Sequence, residues 1–127
     1  MADDLPPLAG RSILVVENEP LIALDLVEGI SAAGATVLAA HSLIDGLRLA
    51  GHPNLTAAVL NFDLGDGDGT ALCEYLRERG IPFLLHTGFQ EVDEACNSEA
   101  ILSKPAPPSQ LVSAIQNLIE TKEMPPC

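Results

Sequence analysis

Five short apolar runs recur along this chain, at residues 12–16, 36–40, 57–62, 82–86 and 100–103, and helical stretches separate them. That alternation leaves few folds open. Short, β-branched, continuously apolar runs suit strands buried on both faces. The stretches between them carry helix signals. Pro20 suits a first turn, and Gly34 closes the stretch 21–33 at a C′ position. Ser42 can cap a helix running to about residue 50, which Gly51 and Pro53 end. Residues 70–79 place Ala71, Leu72, Tyr75 and Leu76 on one face, with Glu74, Arg77 and Glu78 on the other. Residues 89–98 carry a weaker, acidic pattern. Pro107 and Pro108 open a last helix with Leu111, Val112, Ile115, Leu118 and Ile119 as its buried stripe. The expected class is α/β: a doubly wound, five-stranded parallel sheet with five helices on its two faces. In such sheets chemistry collects at the carboxyl ends of the strands. That rule selects Glu17-Asn18-Glu19, Asn61-Phe62-Asp63, Thr87-Gly88 and Lys104-Pro105.

At 127 residues the expectation is one domain over 1–127, with a core at about 11–120. Eighteen acidic and six basic side chains give a net charge of −12. A surface that acidic repels nucleic acid and anionic lipid, which directs attention to protein partners. Cys73, Cys96 and Cys127 show no metal-ligand spacing, so reduced thiols are expected. The acidic start lacks an apolar core, and no run reaches the length of a membrane span. A cytoplasmic monomer or weak homodimer is the expectation. His86 reads as a strand-end residue, and His41 and His52 as loop or surface residues. None has a nucleophile partner at triad spacing.

The four strand-end motifs together resemble the receiver domain of two-component response regulators. Val15-Val16-Glu17-Asn18-Glu19-Pro20 looks like that family's first strand with its acidic pair. Leu60-Asn61-Phe62-Asp63, followed by Leu64-Gly65-Asp66-Gly67-Asp68-Gly69, looks like its phosphoacceptor strand and turn. Thr87-Gly88 and Lys104-Pro105 match the hydroxyl and the lysine that bind phosphoryl oxygens. The resemblance covers about residues 11–120. It implies a flavodoxin-like receiver with strand order 2-1-3-4-5, without enzymatic activity of its own. It also implies a histidine kinase or downstream regulator as partner, and signalling through the fourth helix, fifth strand and fifth helix. That surface includes Glu91, Val92, Asp93 and Glu94, and the last helix around Gln116 and Glu120. Ile101 stands where the family often has an aromatic switch.

The register of the resemblance puts the phosphoacceptor position on Asn61, and the second member of the acidic pair on Asn18. An amide nitrogen has its lone pair delocalised into the carbonyl, so Asn61 cannot form an acyl phosphate. Magnesium needs carboxylates in near-ideal geometry, and Glu17 with two neutral amides is a poor site. The expectation is therefore no cofactor, with Glu17 and Asp63 as the only metal candidates, and a phosphorylation-independent interaction module. The alternative is a conventional phosphoacceptor that uses magnesium and either Asp63 or an aspartate at position 61 of the native protein. Asp66 and Asp68 read as solvated turn formers. A flavin-type phosphate site is disfavoured because Glu17 and Glu19 follow the first strand, where glycine and hydroxyl residues would be needed.

Overall fold

The computed structural model describes residues 5–61, 64–67, 69–87, 100–103 and 107–123, with the backbone alone for residues 87, 100–103, 108 and 123. Its elements run β1 (Ser12–Val16), α1 (Pro20–Ala32), β2 (Thr36–Ala40), α2 (Leu43–Leu49), β3 (Ala57–Leu60), α3 (Thr70–Glu78), β4 (Phe83–Thr87), β5 (Ala100–Ser103) and α4 (Pro108–Glu123). The strands form one parallel sheet in the order β2-β1-β3-β4-β5. Four helices accompany it among the described residues; the expected helix at 89–98 lies outside them. No helix of the described residues is long and apolar enough to cross a membrane.

Alternation within the strands divides the core in two. Leu14, Val16, Ala58, Leu60 and Leu85 face α2 and α3, where Leu72, Cys73 and Leu76 meet them. Ile13, Val15, Ala57, Val59 and Leu84 face α1 and α4, where Leu26, Ile30, Leu111, Ile115 and Ile119 meet them. Both faces of β1 and β3 are thus buried, which is why their sequences are continuously apolar rather than alternating.

Local chemistry fixes the helix ends. Ser42 accepts a hydrogen bond from the Asp45 amide at 3.2 Å, the cap its sequence position suggests. After α1 the chain turns at Gly34, where φ is +100° and an added Cβ would stand 2.8 Å from Cβ of Pro6. After α3, Gly80 (φ +71°) lets the Ile81 amide reach the Leu76 carbonyl at 2.9 Å and close the helix.

Four details depart from the sequence reading. The packed region begins before residue 11: Leu8 is buried, and its amide donates to the Ala33 carbonyl at 2.8 Å. On α3 the buried positions are Leu72, Cys73 and Leu76, while Ala71 is exposed, because the face turns toward the sheet by about one residue. Strand β3 ends at Leu60, two residues earlier than its apolar run suggested. Cys73 is disulfide-bonded, which corrects the expectation of reduced thiols at this position; spacing along the chain cannot show which sulfurs meet in space.

Candidate functional site

The parallel register builds the site. Val16 pairs with Ala40 on one side and Leu60 on the other, so Glu17 and Asn61 emerge side by side at the carboxyl edge. Backbone bonds continue one step past the strands: the Glu17 amide donates to the Ala40 carbonyl at 3.0 Å, and the Asn61 amide to the Val16 carbonyl at 2.9 Å. Glu17 is fully buried and Asn61 is 8% exposed.

Their side chains bond to one another. The Asn61 Nδ2 amide donates to Oδ1 of Asn18 at 2.8 Å and to Oε2 of Glu17 at 3.4 Å. The same Glu17 oxygen accepts the Glu19 backbone N–H at 3.1 Å. A buried carboxyl group needs such donors, because leaving one unmet costs about 1–3 kcal/mol. The Asn61 amide supplies one of those donors.

These residues fit a divalent cation poorly. Among the three, only Glu17 is a carboxyl group, and its Oε2 already accepts two N–H groups. Asn61 aims a donor, not an acceptor, at the space between Glu17 and Asn18. Magnesium demands oxygen ligands in octahedral array. Among the described residues no group of three histidine, cysteine, aspartate or glutamate side chains could hold a metal ion. Asp63 and Lys104 lie outside the described residues, as do Asp68 and residues 91–94. Thr87 ends β4, paired with Ser103 of β5, and only its backbone is described. Ile101 likewise is placed by its backbone in β5.

Two residues read as bystanders are part of this edge. Nδ1 of His41 lies 3.2 Å from the Glu17 carbonyl oxygen, so the loop after β2 is in contact with the buried acid's own peptide. Asp66 is more than a solvated turn former. Its Oδ1 accepts the Leu43 amide at 2.8 Å and its Oδ2 the Ile44 amide at 3.2 Å. Those are orphan donors at the start of α2. The turn that carries Asp66 closes through the Leu64 amide and the Gly67 carbonyl at 3.1 Å, with Gly65 and Gly67 at positive φ. A Cβ on Gly67 would stand 2.8 Å from Cδ2 of Leu43, an end that can swing aside, so it is the φ of +152° that favours glycine there. His86 is buried in β4, and His52 accepts the Asn54 amide at 3.2 Å.

The hydrogen bond from Leu43, joined by that from Ile44, holds the Asp66 carboxyl group below its ordinary 3.8. A lowered folded-state pKa contributes stability above the unfolded value and loses it as pH falls through the folded one. Asp66→Asn should therefore lower the melting temperature at neutral pH. The difference from the parent should shrink only below pH 3.8. A pH-independent difference would show that the amide fails sterically rather than by charge.

No family model matches the chain. Solved structures that it resembles include several receiver domains. A CheY-like response regulator receiver domain from Methanospirillum hungatei JF-1 superposes with a TM-score of 0.81 at 23% identity, covering 89% of this chain and 96% of that one. The fold is that of a response-regulator receiver. A response regulator receiver protein from Sinorhizobium medicae WSM419 gives 0.80 at 24% identity, over 89% of this chain and 97% of that one. The receiver domain of a sensor histidine kinase from Pseudomonas aeruginosa PAO1, with magnesium coordinated in its active-site cleft, gives 0.79 at 24% over 88% and 99%. Among curated proteins, the acid tolerance regulatory protein ActR of Sinorhizobium medicae (strain WSM419) is 27% identical over 112 residues, 83% of this chain. The chain spans 58% of the length of that relative. In this receiver fold, Glu17, Asn18 and Asn61 occupy the carboxyl edge of the central strands.

Proposed function

We propose that this chain is a receiver domain of a two-component system that works without phosphorylation, as a protein-interaction module. The observation that carries the reading is the amide of Asn61 bonded to Glu17 and Asn18 just past β3, and the resemblance of Leu60-Asn61-Phe62-Asp63 to the family's phosphoacceptor strand supports reading Asn61 as the phosphoacceptor position. A carboxamide at that place cannot accept a phosphoryl group, and its neutral oxygen is a weaker ligand than a carboxylate for the cation that assists transfer. The module is then not an enzyme and needs no cofactor. It holds one dominant conformation, and its output passes to a histidine kinase or downstream regulator through protein contact. The exposed side of α4 around Glu120 belongs to the surface through which the resembled family signals.

Acetyl phosphate with magnesium tests this directly. Intact-mass measurement of the wild-type chain should show no added phosphoryl group after an incubation that fully labels a conventional receiver. A stable adduct that maps to Asp63 would establish the conventional phosphoacceptor reading instead.

A further inference from the structure

The end of the sheet opposite Asn61 carries a cleft of about 380 Å³. Its walls come from segments far apart in sequence: the start of β1, the loop before β3, the turn after α3 and the last turns of α4. Three cations line it, Arg11, Arg79 and Lys122, and none of the ten lining residues is acidic. The chain has only six lysines and arginines against eighteen acids. Half of its cations therefore converge on one recess of a strongly anionic protein. Arg11 has an interaction of its own, so Arg79 and Lys122 carry the charge that an anion in the cleft would meet.

Two of the cations have donors to offer. Arg79 bonds the carbonyls of Ala50 and His52, and both bonds use Nη1. That ties the guanidinium to the loop after α2, and among the described residues no hydrogen bond uses its Nε or Nη2. Nζ of Lys122 lies 3.7 Å from where a Cβ on Gly80 would stand, so it overhangs the turn that closes α3. Among the described residues no hydrogen bond or ion pair occupies the Lys122 ammonium. Leu55, Ile81 and Ile119 also line it.

We infer that this cleft binds a small aliphatic polyanion, a di- or tricarboxylate or a phosphorylated metabolite. The volume falls within the range of small-molecule sites. No aromatic side chain lines it, so nothing stacks a nucleobase, and the ligand is recognised by charge and size. The site is separate from the Asn61 cluster and does not depend on the loss of phosphorylation.

The test is a nuclear magnetic resonance titration of the full chain with citrate, with inorganic phosphate, and with sodium chloride at matched ionic strength. Citrate should give saturable shifts confined to the amides of residues 79–81 and 119–122 and to Leu55 and Thr56. Lys122→Gln should weaken citrate about tenfold, the loss of one charge-assisted contact. Arg48→Gln, outside the cleft, should leave affinity unchanged. Arg79 also holds a loop, so Lys122→Gln carries the test and its fold is checked in the same spectra. Non-saturable shifts, shifts reproduced by chloride, or equal citrate affinity in Lys122→Gln would overturn the inference; saturation by phosphate as well as citrate would assign the phosphorylated class.

Discussion

Asn61→Asp should destabilise the chain by about 1–3 kcal/mol at neutral pH without divalent cations. The substitution turns an N–H donor 3.4 Å from Oε2 of Glu17 into a second carboxyl group in the same buried place. It also leaves Oδ1 of Asn18 facing an acceptor where it had a donor at 2.8 Å. Two carboxyl groups so close share a proton, and the pair titrates with one raised apparent pKa. A raised folded-state value makes the stability contribution complete at low pH and lost as pH rises through it. The deficit should therefore shrink on acidification. Magnesium should also restore stability to the variant and leave the wild type nearly unchanged, because a ligand stabilises only the state it binds. On the proposed reading the variant should gain phosphoryl uptake from acetyl phosphate, and Asn18→Asp should add to it. Urea unfolding in chelator and in magnesium measures the first effects. Equal stability of variant and parent in chelator would mean that the amide contributes nothing at this edge.

A second large effect is expected just behind the site. Leu60 is fully buried, ends β3 and packs in the cluster that includes Leu14, Leu72, Leu76 and Leu85. Leu60→Ala should cost about 2–5 kcal/mol, the usual range for a buried leucine that leaves a cavity. Against a typical domain stability of about 5–15 kcal/mol, that loss removes a large share. The denaturant midpoint should fall with an unchanged slope. Leu24, on the outer side of α1 and 54% exposed, offers the contrast: its alanine variant should shift the midpoint little. A Leu60→Ala midpoint as close to wild type as that of Leu24→Ala would show that the β3 core repacks without a cavity.

Local signals made much of this fold legible. The apolar runs marked β1 and β2 at their observed ends, Ser42 announced α2, and Gly34 announced the end of α1. Each is a signal contained within a few residues. The meeting of Glu17, Asn18 and Asn61 follows from the rule that parallel sheets gather function at their carboxyl edge. What could not be read were contacts whose partners lie far apart. Asp66 looks like any turn aspartate until the turn's positive-φ glycines bring it to amides twenty-two and twenty-three residues away. Leu8 precedes the first strand and gains its burial from the end of α1. Arg11, Arg79 and Lys122 share a cleft only after the sheet and α4 have assembled. No periodicity in the sequence encodes any of these.

The Asp66 bridge also bears on how the molecule comes apart. Helix α2 has seven residues, fewer than an isolated helix needs to persist in water. Besides its Ser42 cap and the leucines packed on the core, it is held by Gly46, close enough to the sheet that a Cβ would meet Val16 at 3.1 Å, and by the carboxylate of Asp66 at its first amides. When the turn at 64–67 lifts, the Asp66 contact goes with it. The beginning of α2 and the turn at 64–67 are thereby expected to open together, although β3 lies between them in the chain.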